Sequence, residues 1–348
     1  MALRSTEKSR ISSCTASDEI ARAVIRKYTE LGKSLTDDAA QLVLAGIVAI
    51  HNNSIDVISL AVGNKFSPTG DKQDDSVRDC HAEVLSRRAF KHWLANEYKS
   101  VDEGKKSLYF DSKRDTDGIL RLVARSDVTW VLYISSAPCG NACIRRWGES
   151  PKETFHESLG QFELFDDRPH PPFHPHSQAE GQTAIIFKGQ STIRSCSDKI
   201  LNWNVLGLQG IAFSGLIKSK IFLDGIVIGR KFVRKHAQRA LCCRLSSKRI
   251  HKDIKHSLHH PSLMCTAVKL DEGGMNSEVG AIFTERVFWW NKAVPDGEYL
   301  DGSLGKRQDG STSILSHGSM KTLRSYLPKP DPSIISLGLI LSKQLEDI

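Results

Sequence analysis

Three short stretches carry residue types that do chemistry. CHAEV (Cys80–Val84) sets His81, a neutral nitrogen donor, two residues before the carboxylate Glu83. SSAPCGNACI (Ser135–Ile144) places Cys139 just after a proline, where an apolar run ends, with Cys143 four residues later. RSCSDKILNW (Arg194–Trp203) carries Cys196 near the start of what reads as a helix. Helix starts favour thiolate over thiol. Each stretch alone says little: a His-Ala-Glu triplet arises often by chance, and an isolated Pro-Cys is more often structural than catalytic.

Together the three match the logic of a zinc deaminase. One His and two Cys hold the ion, a fourth position is left for water, and a glutamate that is not a ligand carries protons. His81 and Cys139 then fit as ligands and Glu83 as the proton carrier. The second cysteine is open. The usual PCxxC spacing falls on Ala142, which is no ligand. Cys143, at helical spacing, and Cys196, far along the chain, both remain, and spacing alone favours Cys143. The plain alternative for either is a buried thiol.

These residues must be positioned by a sizeable core, and 348 residues with 40% hydrophobic and 25% charged composition supply one. The alternation of strand-like and helix-like stretches argues an α/β fold without internal repeats. Ser17–Glu30 reads as a helix capped by Ser17, and Gln41–Asn52 as a second, apolar helix. Ile55–Val62 reads as a strand, and Asn64–Asp75 as a polar loop. His81–Tyr98 reads as a helix with an apolar face at Val84, Leu85, Ala89, Phe90, Trp93 and Leu94. On that reading Arg87 and Arg88 are a solvated helix face. Val128–Ser135 is the clearest buried strand, and Ala142–Trp147 begins a further helix. Residues 148–184 look irregular. RPHPPFHPHSQAEG (Arg168–Gly181) holds four prolines and three histidines and reads as a solvated loop. A helix over Cys196–Leu206 follows, then two short apolar stretches, Ile211–Ile217 and Ile221–Gly229, and a basic helix over Phe232–Arg244.

The formal net charge is +8 and the sequence pI about 9.0. That balance fits a polyanionic partner, and a solubility bias accounts for it equally well. Eight cysteines in a chain with no apolar leader stretch point to metal binding, catalysis or core packing rather than a disulfide framework. No apolar run reaches the roughly 18 to 20 residues a membrane helix needs. The expected location is cytoplasm or nucleus.

CHAEVLSRR, the strand leading into PCG, and SCSDKILNWNVLGLQG (Ser195–Gly210) resemble the catalytic domain of adenosine deaminases acting on RNA and of their tRNA-specific relatives. The resemblance runs over residues 17–327. It leaves 1–16 as a disordered N-terminus and 328–348 as an atypical tail. It implies a cytidine-deaminase-like three-layer α/β fold, with a mixed sheet and helices on both faces. It implies His81, Cys139 and Cys196 as zinc ligands and Glu83 as the proton carrier, with Cys143 structural. It implies a buried inositol hexakisphosphate held at Arg87, Arg88, Lys199, Trp203 and Gln209, with Asn202 standing where an arginine is common. It sets Asn64 and Lys65 where a loop approaches a flipped nucleotide, and Lys188 and Arg194 as further candidates for RNA contact.

The family ends in helices that carry lysines, tyrosines and a tryptophan. Here PKPDPSIISLGLILSKQLEDI has no aromatic residue and only Lys329 and Lys343, so the tail is expected to be replaced or truncated. No double-stranded-RNA-binding module precedes the motifs in this sequence. PCGNAC is similar to a PCGDAS form, and GEYLDGSLGKRQDGS (Gly297–Ser311) to a LEILDGTRG segment. On those grounds the resemblance implies the tRNA-specific branch, acting on the adenosine 3′ of the anticodon of tRNA-Ala without an obligate protein partner. Editing of structured mRNA is the second reading, and a non-catalytic RNA-binding subunit the third.

Overall fold

The structure, a computed structural model, describes residues 14–31, 43–66, 75–140, 142, 184–187, 190–246, 250–268, 270 and 286–346. Its centre is a hairpin. Strands β1 (Leu44–His51) and β2 (Ser54–Val62) pair antiparallel, with His51 opposite Ser54. The two residues between them, Asn52 and Asn53, have φ of 49° and 61°. A two-residue turn of this hand needs left-handed backbone at both positions, and asparagine tolerates it better than other side chains.

The expected apolar helix over 41–52 is therefore wrong, and the reason is physical. β1 lies in mid-sheet and is buried on both faces, so its residues are apolar without alternation and the run shows no period. Its faces nevertheless separate. Ala45, Ile47 and Ala49 belong to one core, and Leu44 and Val48 to the other.

The remaining strands are β3 (Asn64–Phe66), β4 (Asp79–His81), β5 (Phe110–Arg114), β6 (Leu120–Ala124), β7 (Thr129–Ser136), β8 (Ala184–Phe187), β9 (Gln190–Arg194), β10 (Gly225–Arg230), β11 (Ser262–Cys265), β12 (Arg286–Asn291) and β13 (Val294–Asp301). Seven form one sheet in the order β11-β10-β7-β1-β2-β12-β13. β10 runs parallel to β7 and β11, and the other neighbours pair antiparallel. The sheet is mixed, as expected. β3–β4, β5–β6 and β8–β9 are separate two-stranded ribbons.

The helices are α1 (Cys14–Glu30), α2 (Ala82–Asp102), α3 (Cys196–Leu206), α4 (Arg234–Leu241), α5 (Lys252–Ser257), α6 (His317–Ser325) and α7 (Pro332–Glu346), with 3-10 turns at Ile211–Leu216 and Cys243–Ser246. α1 covers one face of the sheet through Ile20, Val24 and Tyr28. α2 and α3 cover the other, where Phe90 and Trp93 pack with Tyr109, Phe110 and Trp130. Helices thus lie on both faces. α1 begins at Cys14, so Ser17 does not cap it; the buried hydroxyl donates to the carbonyl of Cys265 at 2.8 Å. The basic helix expected over 232–244 is shorter and breaks at Cys242. Residues 143–183, including most of the irregular segment, lie outside the described residues. Among the described residues no helix is long and apolar enough to cross a membrane.

The tail is part of the fold. Leu337 and Leu341 of α7 join Leu201 and Val205 of α3, and Leu245, Ile250 and Ile254, in a third core. Gly338 allows the close seating: a Cβ there would stand 2.3 Å from Ile211 Cδ1.

Candidate metal centre

Two helix N-termini meet in front of the sheet. His81 closes β4 and stands at the N-cap of α2, so Glu83 falls in its first turn. Cys196 is the first residue of α3. α3 is set by a capping box, in which Ser195 accepts from the Asp198 amide and Asp198 accepts from the Ser195 amide. β7 then delivers Cys139 to the same point, beyond the Ala137–Pro138 pair.

His81, Cys139 and Cys196 come together there, with their ligand atoms all within 4.8 Å of one another. The turn at Cys139 is held onto α3. The Cys139 carbonyl accepts from the Ser197 amide at 3.1 Å and from its hydroxyl at 2.8 Å. Gly140 follows with φ 92°, and a Cβ there would stand 2.2 Å from Ser195 Oγ. The glycine of PCG is therefore required twice over, by backbone and by space.

Asp79 is the orienting group. Its Oδ1 lies 2.8 Å from His81 Nδ1, which leaves Nε2 for the metal side. Its other oxygen takes the ammonium of Lys199. Burial works against the Asp79 charge, but the His81 hydrogen bond and Lys199 outweigh it and hold the carboxyl well below the usual carboxylate range. Burial likewise disfavours charged His81, yet Asp79 and Cys139 lift its pKa to about 10. Cys139 accepts a hydrogen bond from Cys196 and falls well below the ordinary thiol value, while Cys196, the donor, rises. The Cys196 amide also points at Cys139 Sγ, at 3.3 Å, as a helix N-terminus stabilises a thiolate. Glu83 is 3% exposed, and burial, helped by the Cys139 charge, raises its carboxyl to about 7. A nitrogen, two sulfurs, an orienting carboxylate and a buried glutamate near neutrality fit a zinc ion with a proton carrier beside it.

Behind this site cations gather on α2. Arg87, Arg88 and Lys91 share a helix face, and Arg324 of α6 is near enough to disfavour the Lys91 charge. Lys91 lies well below its usual pKa, first by burial and then by the three arginines. Arg87 falls to about 9 by burial. Its guanidinium stands over Trp203 at 4.9 Å and donates to the Leu208 carbonyl at 2.8 Å. Arg88 Nε is buried without a hydrogen-bond partner. The solvated face expected for Arg87 and Arg88 is not what forms. Gln209 is buried, with both amide atoms engaged, by the Leu206 carbonyl and the Ile221 amide.

Of the residues proposed for RNA contact, Asn64 and Lys65 pair in β3 directly opposite His81 and Cys80, so their backbone borders the site. Their side chains, and Lys188 and Cys143 altogether, lie outside what the structure describes. Arg194 turns toward α7 and donates to Ser342 Oγ at 3.0 Å.

Sequence reasoning missed five contributors. Asp79, two residues before His81 on one strand face, was legible from the period of a strand. Asp198 was legible as the capping box S-x-x-D. Arg244, which pairs with Asp198 where both are almost fully buried, had no local signal. Neither had Lys91 or Arg324.

A mixed sheet carrying a His, two Cys and a buried glutamate at paired helix N-termini defines a deaminase domain. Residues 59–325 match the adenosine-deaminase (editase) domain, and the chain belongs to that family. The double-stranded RNA-specific adenosine deaminase of Mus musculus is 28% identical, over 90% of this chain and 28% of its own length. The double-stranded RNA-specific editase B2 of Mus musculus is 30% identical, over 86% of this chain and 41% of its own. The tRNA-specific adenosine deaminase 1 of Drosophila melanogaster is 29% identical, over 60% of this chain and 54% of its own. The chain thus spans between a quarter and little more than half of these relatives.

Proposed function

We propose that this chain converts adenosine to inosine in RNA by hydrolysis, with zinc at His81, Cys139 and Cys196. The carrying observation is the convergence of those three donors beside buried Glu83. Zinc held there supplies Lewis acidity, which brings the pKa of water toward about 7. The chain's own residues do the rest. Asp79 and the α3 N-terminus fix the donors. Glu83 Oε takes the proton released as water adds at C6 and gives it to N1 of the base, then takes the proton of the new C6 hydroxyl and gives it to the departing amine. The balance is adenosine plus water giving inosine plus ammonia. Burial of Glu83 keeps its pKa close to working pH, where a group can both accept and donate.

The cationic cluster behind α2 supports a buried polyanion, by the family resemblance inositol hexakisphosphate. Arg87, Arg88, Lys91 and Arg324 would face it. The lone buried Nε of Arg88 fits a site whose counter-charge comes from a ligand.

Two substrate readings have separate support. The PCGNAC and GEYLDGSLGKRQDGS segments support tRNA-Ala, at the adenosine 3′ of the anticodon. The wider coverage by relatives named for double-stranded RNA supports structured RNA. A cytoplasmic or nuclear location suits either. The test is inosine formation by the purified chain on tRNA-Ala and on a long duplex, beside Glu83→Ala. The variant should keep zinc and lose inosine on whichever RNA the chain uses. Undiminished inosine formation in Glu83→Ala would overturn the proton-carrier role.

A further inference from the structure

Neighbouring side chains diverge, by about 100° around a helix and to opposite faces along a strand. Cys242 and Cys243 are adjacent, yet their sulfurs lie 3.4 Å apart. The cause is the break in α4. The helix ends at Leu241, and Cys242 takes φ −152° and ψ −53° before the chain re-enters a 3-10 turn at Cys243. That one irregular residue swings both thiols into a single gap.

A third donor arrives from the other end of the crossover. His259 and His260 precede Pro261, which holds the residue before it in extended backbone. Extended neighbours point opposite ways. His259 is pinned on one side: its amide donates to the Asn204 carbonyl at 2.7 Å, Nε2 lies 2.8 Å from the Leu223 carbonyl, and its ring stacks on Phe222 at 4.8 Å. His260 faces the other side. There the ligand atoms of Cys242, Cys243 and His260 all lie within 4.8 Å of one another.

That spacing suits a metal. Zn–S near 2.3 Å and Zn–N near 2.0 Å at tetrahedral angles put the sulfurs about 3.8 Å apart and each about 3.5 Å from the nitrogen. Both cysteines are almost fully buried, Cys242 at 0% and Cys243 at 3%. None of the three residues takes part in the deaminase centre.

We propose that Cys242, Cys243 and His260 bind a second zinc ion, which clamps the end of α4 to the entry of β11. β10 and β11 are parallel neighbours, and the clamp ties the middle of the crossover between them to its β11 end. Three protein donors leave one position for solvent or a further ligand. The three donors tie two segments of one crossover together, and the assigned role is structural.

The full chain, purified without chelator, should carry two zinc ions by native mass spectrometry. Cys196→Ala should lose one and keep the other, and His260→Gln should do the same. The double variant should carry none. A wild-type count of one that persists in His260→Gln overturns the proposal; a count of one that is lost in His260→Gln supports it and counts against the deaminase-site zinc instead. Cobalt loading of the unmutated chain covers the case of a variant that does not fold. Thiolate-to-cobalt charge transfer should saturate at two equivalents, and saturation at one that Cys196→Ala abolishes overturns the clamp.

Discussion

Asp79 and His81 stand two residues apart on β4, and Oδ1 of the first lies 2.8 Å from Nδ1 of the second. That contact chooses the tautomer of His81 and aims Nε2 at the two cysteines. Outer partners of this kind are worth about 10- to 100-fold in metal affinity. Asp79→Ala should weaken zinc retention by that factor in a chelator competition, while Asp79→Asn, which keeps an oxygen acceptor, should lose less. Equal retention in wild type and Asp79→Ala would refute the orienting role.

Asp198 is buried under three donors: the Ser195 amide at 3.2 Å, the Ser195 hydroxyl at 2.8 Å, and Arg244. Arg244→Met removes the only cation among them. An uncompensated buried charge costs about 3 to 5 kcal/mol, and urea unfolding should show a loss of that order. In an Asp198→Asn background the same change should cost much less. Equal losses in the two backgrounds would mean that packing, not the ion pair, is responsible.

His92 gives the chain a pH-dependent term. Burial, and then the Lys99 charge, lower its pKa from 6.5 to about 4. Its Nδ1 lies 3.3 Å from both Asn96 Nδ2 and Asn291 Nδ2, which suits the neutral ring. The unfolded chain binds a proton below about 6.5 and the folded chain only below about 4. The stabilisation is therefore complete above the first value and lost as pH falls through the second. Wild-type stability should fall toward acid more steeply than that of His92→Gln, by up to about 1.4 kcal/mol per pH unit between those limits. Parallel curves would exclude His92 as the source.

On α7, Leu341 is 1% exposed and Leu339 is 69% exposed. Leu341→Ala should cost about 2 to 5 kcal/mol by opening a cavity against α3 and α5. Leu339→Ala should stay within about 0.5 kcal/mol. The pair is read by chemical unfolding. A negligible effect of Leu341→Ala would mean that α7 is not integral to the domain.

How far the sequence could be read depended on how local each signal is. α3 was legible from its apolar residues, and the capping box that fixes its start is written within a few positions. α2 was legible from its apolar face at Leu85, Ala89, Phe90, Trp93 and Leu94, although no side chain caps it. β1 was not, since burial on both faces erases the period that separates strand from helix; the Asn52-Asn53 turn was the better clue. The choice between Cys143 and Cys196 could not come from spacing. It turns on which helix start the strand β7 meets, and that is a matter of sheet order.

Residue type and short-range spacing by themselves determined the kind of chemistry: a nitrogen and sulfurs for a soft metal, and a carboxylate two residues from the nitrogen. They also determined the α/β class, because the forces that separate helix from strand act over one or two turns. The tertiary structure alone decided which donors converge, that Asp79 aims His81, and that Arg87, Arg88 and Lys91 gather behind the site with Arg324 at their edge. It alone brought Cys242 and Cys243 to His260. Desolvation and charge proximity depend on atoms from distant segments, and only folding sets those distances.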